Sequence, residues 1–456
     1  MATAGTIDIQ DFINSRPVSR YQVMVIVLCF LVVAADGFDT AAVGYIAPAL
    51  RAQWGVMPAQ LAPLFGAGLF GLMAGAFIFG PLADKVGRKA ILVSTTAAFG
   101  VASVLSATAT SIEALTVWRF VTGVGLGGAM PSAITLTSEY CPERNRSFLV
   151  MVMFCGFTMG GALGGLSAAT LIADFGWQGV LVLGGALPLA LAAVLLFLLP
   201  ESVRYLVLKG GQDARVGAVL RRFDPRAPLD GARFVGVRRV EGSPVRQLFN
   251  PGLVAGTLLL WLTFFMSLLV FYLLTSWLPT LLNSAGQTAS SAAMIALMLP
   301  IGSTVGAIAI GMLMDRTNPH AVLFGSYALA AAFILLLGLS TGSPWLLVLA
   351  VFGAGLGTGG SQIGINALSA AYYPTASRAT GVSWANAVGR IGSVVGSMVG
   401  GYLLGLGWPL ATVFAVAAVP ALVAGIAIFA KGRLGAPALA AAPVAAPVAA
   451  HSAAQR

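Results

Sequence analysis

Long uninterrupted runs of apolar residues constrain this chain more than any other feature of its sequence. Twelve such runs, each close to or above the ~20 residues that cross a bilayer as a helix, are separated by short polar breaks. They fall near 21–48, 61–82, 90–108, 113–138, 148–171, 179–200, 252–282, 291–314, 321–341, 344–370, 382–405 and 409–430. A transmembrane β-barrel would instead show short segments of alternating hydrophobicity. The sequence therefore predicts an all-α membrane protein with twelve transmembrane helices, and it excludes a soluble enzyme.

The charged residues are few and unevenly distributed. They make up 9% of the chain, against about 25% in a soluble domain. If the runs alternate in direction, 22 of the 25 Lys and Arg residues lie on the side of the N-terminus. This bias marks the cytoplasmic side, so we expect both termini in the cytoplasm. It also accounts for most of the net charge of +10, and we expect no binding of nucleic acid.

The longest polar stretch divides the chain into two halves that repeat each other. We expect an N-terminal tail, a six-helix bundle, a cytoplasmic linker with an amphipathic helix near 202–222, a second six-helix bundle and a disordered tail, at 1–20, 21–200, 201–250, 251–430 and 431–456. At an offset of 231 residues Asp84 matches Asp315, and at 232 Pro142 matches Pro374. Two parallel repeats with a site at the membrane midplane are the architecture of many secondary transporters.

Several segments resemble the signatures of one transporter family. GPLADKVGRK (80–89) is similar to the loop between spans 2 and 3 of the major facilitator superfamily. DGFDTAAVGYIAPAL (36–50) resembles the first span of its aromatic acid/proton symporter family, and PESVRYL (200–206) and YYPTASRATGVSW (372–384) also resemble that family. The resemblance extends over all twelve runs and is closest to bacterial carriers of benzoate, 4-hydroxybenzoate and protocatechuate. It implies the major facilitator fold and the import of an aromatic carboxylate with protons across a bacterial inner membrane.

Four charged residues lie well inside the apolar runs: Asp36, Asp39, Arg119 and Arg390. A charge at this depth costs ~2.5–3.5 kcal/mol on insertion scales, and none of the four has a charged counterpart in the other half. Asp36 and Asp39 share one helix face, and two carboxylates this close in a low dielectric do not both ionise easily. We therefore expect this pair to carry the coupling proton. The alternative is that one aspartate pairs with Arg119 as a structural lock.

The two arginines are candidate receptors for a substrate carboxylate, because a guanidinium binds a carboxylate through two parallel hydrogen bonds. Arg390 shares a polar helical stripe with Asn386, which indicates a face on a water-filled cavity. We favour Arg390 as the receptor and Arg119 as the partner of the aspartate pair, and the reverse assignment stays open. Side chains that offer an aromatic ring apolar contact, or its hydroxyl groups a polar partner, complete the candidate substrate site: Phe264, Tyr272, Trp384, Gln362 and Asn366.

Residues in the breaks on the N-terminal side form a candidate gate. We expect Asp84, Gly87, Arg88, Glu139, Arg378 and His320 to contribute to a charge network that closes the cytoplasmic side and breaks when the halves rock. The sequence contains no metal cluster, catalytic triad or ATP-binding loop, so we expect no enzyme activity, no cofactor and no metal. We expect a monomer driven by an ion gradient. The alternatives are a proton-coupled exporter or anion exchanger of organic acids on the same fold, and a receptor that does not transport.

Overall fold

The structure is a computed structural model that describes residues 6–227, 229, 231–235, 245–250, 252–340, 342–374 and 377–434, and this part of the chain is nearly all helical. The first half contains α1 (Ile9–Asn14), α2 (Arg20–Trp54), α3 (Pro58–Val86), α4 (Arg88–Ser106), α5 (Ile112–Tyr140) and α6 (Glu143–Leu198). The connecting segment contains α7 (Val203–Lys209) and α8 (Asp213–Arg221). The second half contains α9 (Val254–Ser284), α10 (Ala289–Ala296), α11 (Met298–Arg316), α12 (Pro319–Leu339), α13 (Pro344–Tyr372), α14 (Arg378–Gly405) and α15 (Leu410–Arg433).

Helix α6 contains two membrane crossings. Its 56 residues would extend ~84 Å as one helix, whereas the apolar core of a bilayer is ~30 Å thick. Gly176 interrupts it with φ 65° and ψ −175°, a conformation that favours glycine. The described residues contain eleven apolar segments long enough to span a membrane, with α10 and α11 joined as one of them. With α6 divided, they give twelve crossings, and the predicted all-α fold is confirmed.

The helices that carry the intramembrane charges pack backbone against backbone at glycine residues, in contacts that we call glycine seams. A Cβ at Gly160 on α6 would overlap the carbonyl oxygen of Ala34 on α2, so the two backbones touch. In the second half, Gly392 on α14 meets the carbonyl oxygen of Phe265 on α9 in the same way. The repeat detected in the sequence is thus present as equivalent packing contacts, and these seams fix the positions of Asp36 and Arg390.

The N-terminal residues and the connecting segment fold together into one unit at one end of the bundle. Strand β1 (Thr6–Asp8) pairs in parallel with β2 (Arg233–Val235), and α1 packs with α7 and α8 in a shared apolar cluster. Gly210 and Gly211, both with positive φ, separate α7 from α8, so the amphipathic segment predicted near 202–222 is two short helices. We call this end the linker face and the other end the opposite face. The predicted tail continues α15 as far as Arg433, and residues 435–456 lie outside the described part of the chain.

An ion pair fastens this unit. Arg16 Nε lies 2.9 Å from Asp224 Oδ2, and the Arg16 guanidinium lies 3.7 Å from the centre of the Phe12 ring. The hydrogen bond from Arg16 holds the pKa of Asp224 below its usual value. The side chain of Arg144, at the start of α6, donates to the carbonyl oxygens of Asn14 and Arg16. The unit is therefore attached to the first half.

The halves contact each other from the middle of the membrane to the opposite face. The rings of Phe65 and Trp277 meet edge to face with centroids 4.8 Å apart, and Ser290 Oγ donates to the carbonyl oxygen of Ala169 at 2.7 Å. Nearer the middle, the Thr158 and Thr304 hydroxyl groups lie 2.6 Å apart. These contacts join the two halves on the side of the opposite face.

Candidate functional site

Asp39 and Arg119 form a buried ion pair within the first half. Arg119 Nη1 lies 2.9 Å from Asp39 Oδ1, and Nη2 lies 2.5 Å from Oδ2, so the pair is bidentate. The residues are 1% and 3% exposed. Ser103 Oγ also donates to Asp39 Oδ1, at 3.2 Å. Asp39 therefore has its charge balanced and its oxygens hydrogen-bonded, as in the structural-lock alternative.

Asp36, one helical turn before Asp39, has a different environment. It is 1% exposed, and its Oδ1 accepts a hydrogen bond from Thr40 Oγ1 at 3.2 Å. Its Oδ2 has no hydrogen-bond partner in the described residues. The charge of Arg390 acts on this carboxyl group from the second half. Asp36 is thus a buried carboxyl group with an unfilled hydrogen-bonding position.

Arg390 lies between the two halves and is partly buried. Its Nη1 donates to the Tyr272 hydroxyl oxygen at 3.2 Å, and its Nη2 donates to Met130 Sδ at 3.6 Å. None of the four ion pairs in the described residues contains Arg390. Since a guanidinium offers five N–H donors in a planar fork, Arg390 retains the capacity to bind a carboxylate.

Three amide side chains extend the polar surface beside Arg390. Gln362 Oε1 accepts a hydrogen bond from Ser267 Oγ at 2.8 Å, and Asn386 Nδ2 donates to Asn366 Oδ1 at 3.2 Å. All three amides are partly exposed although they lie on membrane-spanning helices. Polar side chains at such depth face protein or a water-filled cavity. Asn386 is one turn, ~6 Å along the helix axis, from Arg390 on α14.

Two small cavities flank Thr40, with about 20 Å³ and 30 Å³ of free space. Arg119, Tyr272 and Ser276 contribute to the wall of one. The other is mostly apolar and lies between the halves, with the Phe157 and Phe271 rings in its wall. Each has room for about one or two water molecules. Both cavities adjoin the helix turn that carries Asp36.

The aromatic residues predicted from the sequence have three different positions. Tyr272 is at the site, through its hydrogen bond from Arg390. Phe264 is fully buried in an apolar cluster of the second half. Trp384 is 43% exposed and stacks on Trp261 with ring centroids 5.9 Å apart. The structure thus brings only Tyr272 of these three into hydrogen bonding with Arg390.

Sequence reasoning missed three residues that contact the intramembrane charges: Ser103 beside Asp39, Thr40 beside Asp36 and Met130 beside Arg390. Thr40 follows Asp36 at the i,i+4 spacing of a helix, and that spacing is a signal that identifies it. Met130 ends a run of small apolar residues, GVGLGGAM, and carries no such signal. The structure alone identifies its contact with Arg390.

The candidate gate residues of the first half form one cluster at the linker face. Arg88 Nη2 lies 2.5 Å from Asp84 Oδ1, and Ser202 Oγ donates to Glu139 Oε2 at 2.5 Å. Gly87 joins α3 to α4 with φ 113°, and a Cβ there would overlap the carboxylate of Glu201. This close approach explains the glycine.

Glu201 is a further member of the cluster that sequence reasoning passed over, although it lies in the PESVRYL segment. Its Oε1 accepts hydrogen bonds from the backbone N–H groups of Lys89 at 3.0 Å and Ser202 at 2.9 Å. The first of these places a carboxylate at the N-terminus of α4, where it stabilises the helix dipole. The Tyr140 hydroxyl donates to the Glu201 carbonyl oxygen at 2.8 Å.

The two remaining gate candidates lie in the second half. Arg378 is exposed at the first position of α14. His320 Nε2 lies 3.3 Å from Lys431 Nζ, and Lys431 also lies 4.2 Å from the centre of the Tyr372 ring. Within the described residues, no group of three or more His, Cys, Asp or Glu side chains is arranged to hold a metal ion.

Comparison with known proteins identifies the family. The sequence model of the Major Facilitator Superfamily matches residues 29–324 and 260–452. The 4-hydroxybenzoate transporter PcaK of Pseudomonas aeruginosa is 47% identical over 430 residues, covering 93% of this chain and 96% of the relative. A gallate transporter of Pseudomonas putida is 44% identical over 429 residues, covering 94% and 95%.

A solved structure with the same fold is that of a bacterial homolog to the human lysosomal transporter Spinster, in an inward-facing and unoccupied conformation. Its TM-score is 0.70 at 18% identity, and the match covers 91% of this chain and 98% of that one. The chain belongs to the Major Facilitator Superfamily of membrane transporters.

Proposed function

We propose that this protein is a secondary active transporter that imports a hydroxybenzoate-class carboxylate together with protons by alternating access. One observation carries the proposal. The buried Asp36 carboxyl group lacks a hydrogen-bond partner at Oδ2, and it lies within the field of Arg390, which has no carboxylate partner in the described residues. Asp36 can accept a proton at Oδ2, and Arg390 can bind an anion. The relatives named for 4-hydroxybenzoate and gallate support the same substrate class.

In this proposal Asp36 carries the proton and Asp39 does not. Arg119 already neutralises Asp39 through two hydrogen bonds. While Asp36 is ionised, its charge balances that of Arg390. A substrate carboxylate on Arg390 takes over this balancing role, and Asp36 then needs a proton, because a buried carboxylate without a countercharge is costly. Proton and substrate therefore bind together, which is the linkage that a symporter requires.

The amides beside Arg390 are the proposed partners of the ring hydroxyl groups. A benzoate whose carboxylate binds Arg390 extends one ring length, comparable to the ~6 Å helical turn that separates Arg390 from Asn386. Asn366 and Gln362 lie on the facing helix α13, and Asn366 is hydrogen-bonded to Asn386. Amides donate and accept hydrogen bonds, which suits a phenolic hydroxyl group. Tyr272 supplies the aromatic contact.

The linker face is cytoplasmic in this proposal, because most of the basic residues lie on that side of the membrane, here a bacterial inner membrane. Asp84, Arg88 and Glu139 belong to one half and Arg378 and His320 to the other. Rocking of the halves about the central site would bring these two groups of side chains together and close the cytoplasmic side. The contacts at the opposite face would open in the same movement.

Uptake of radiolabelled 4-hydroxybenzoate into proteoliposomes, with and without an imposed pH gradient (interior alkaline), tests the proposal. The wild type should accumulate the acid only with the gradient. Asp36→Asn should abolish accumulation and retain exchange of labelled for unlabelled acid. Glu113→Gln, which removes an exposed carboxylate from the first turn of α5, is the matched control and should behave as the wild type. Undiminished accumulation by Asp36→Asn contradicts the proposal, and exchange without accumulation by the wild type favours an anion exchanger.

A further inference from the structure

Arg390 makes an unusual contact with the first half. Its Nη2 donates to the thioether sulfur of Met130 at 3.6 Å, while Nη1 donates to Tyr272. Met130 lies on α5 and Arg390 on α14, so this hydrogen bond joins the two halves. The contact lies at the side chain to which the proposed function assigns the substrate carboxylate.

A thioether is a poor match for a guanidinium. Sulfur in methionine is a weak acceptor, whereas a carboxylate accepts charge-assisted hydrogen bonds that are about twice as strong as neutral ones. The sulfur therefore satisfies one donor of Arg390 loosely while no anion is bound. A carboxylate that reaches the same nitrogen replaces a weak bond with a strong one, so the exchange is favourable.

The surroundings of Met130 determine how the sulfur leaves. Met130 is 9% exposed, and Ala129 beside it is fully buried. The backbone of α5 at Gly127 is held against α3, because a Cβ there would overlap the carbonyl oxygen of Leu72. The helix is thus fixed, and the unbranched Met130 side chain yields by rotation about its own bonds. Sulfur also makes favourable contacts with aromatic ring edges, so the displaced thioether can pack against the substrate ring.

We propose that Met130 holds the carboxylate position of Arg390 in the empty transporter and that substrate displaces it, which breaks a hydrogen bond between the halves as the anion binds. This inference rests on the proposed function and adds a specificity-determining residue to it. A carboxylate gains two charge-assisted bonds by displacing the thioether, so its affinity includes the cost of breaking that hydrogen bond. A neutral amide gains little by displacing the thioether and binds without doing so. The strength of the acceptor at position 130 therefore sets the affinity for acids and leaves the affinity for amides nearly unchanged.

The test is a series of substitutions that first remove and then strengthen the competing acceptor, with binding measured on purified full-length protein by isothermal titration calorimetry. The probes are 4-hydroxybenzoate and its neutral amide. Met130→Leu keeps the volume and removes the acceptor, so the acid should bind as tightly as to the wild type or up to about threefold more tightly. Met130→Gln supplies an amide oxygen and should weaken acid binding about tenfold, and Met130→Glu supplies a carboxylate and should weaken it about a hundredfold. Affinity for the amide should change much less, so the acid-to-amide ratio should fall along the series.

Met73→Gln is the matched control, because Met73 on α3 packs against the same inter-half apolar cluster as Tyr272 and makes no hydrogen bond with Arg390 in the described residues. It should leave the acid-to-amide ratio unchanged. Equal acid affinity in wild type and Met130→Gln overturns the inference, as does an equal loss for acid and amide. If Met130→Glu does not fold, the Leu and Gln variants still decide between these outcomes. A wild type that does not prefer the acid over its amide instead contradicts the proposed function, and the inference with it.

Discussion

The Asp39–Arg119 pair should contribute more to stability than Asp36. Asp39→Asn preserves the shape of the side chain but removes its charge and one of its acceptor oxygens. Arg119 is 3% exposed and its Nε already lacks a hydrogen-bond partner in the described residues, so its charge would remain buried and nearly uncompensated. Removing one partner of a buried ion pair costs ~3–5 kcal/mol. Because asparagine retains one acceptor, we expect about 3 kcal/mol, at the lower end of that range.

The loss is measurable as an apparent Tm of the purified protein in detergent. If the first half unfolds as a unit of its size, each kcal/mol lowers Tm by ~2–4 °C, so Asp39→Asn should lower it by about 6–12 °C. Asp36→Asn is the control three residues away, and it should lower Tm much less, because Asp36 forms no ion pair among the described residues and Arg390, whose charge it balances, is partly exposed.

The double variant Asp39→Asn/Arg119→Gln separates charge balance from the loss of contacts. It removes both charges and should recover most of the lost stability without recovering transport. If Asp39→Asn and Asp36→Asn shift Tm equally, the two aspartates do not have the different roles that we derive from their hydrogen bonds.

Three further predictions concern single positions. Arg390→Lys should weaken binding of 4-hydroxybenzoate by ~1–3 kcal/mol in calorimetry, because lysine keeps the charge but loses the planar fork, and unchanged affinity would remove Arg390 as the receptor. Gln362→Leu should reduce the preference for 4-hydroxybenzoate over benzoate in competition uptake and leave benzoate affinity similar; a retained preference would contradict the assignment of the amides. Asp224→Asn should speed hydrogen exchange of residues 6–16 at pH 7, because it removes the ion pair with Arg16. The pKa of Asp224 is lowered, so this ion pair is complete above the usual carboxyl pKa of ~4 and is lost as pH falls through the lowered value. Equal exchange rates in the variant and the wild type would show that the apolar cluster alone holds this segment.

The sequence was sufficient to predict the fold and to identify the charged residues inside the membrane spans, because the cost of burying charge in a bilayer makes each such residue conspicuous. Asp36, Asp39, Arg119 and Arg390 stood out for that reason. The sequence could not assign different roles to the two aspartates, since residues three apart share a helix face. Only the packed structure decides which of them meets Arg119. The position of Trp384 could not be predicted, because an aromatic side chain suits contact with a ligand, another helix or the membrane surface equally well. Its stacking on Trp261 is visible only in the folded structure.

The clustering of gate residues was also only partly predictable. Asp84 and Arg88 are i,i+4 neighbours, and the sequence suffices to pair them. The approach of Glu201 to Gly87 joins segments more than a hundred residues apart, and local spacing carries no information about it.

The equivalent seams at Gly160 and Gly392 have a consequence for redesign. Each seam joins backbone to backbone, so this contact does not depend on the identity of the side chains beside the glycines. Asp36 occupies in one half the place that Ser267 occupies in the other, on a seam of the same construction. New polar side chains can therefore be placed beside such a seam without changing how the two helices pack. An engineer who wishes to change the cargo should therefore keep the glycines and exchange the residues between them.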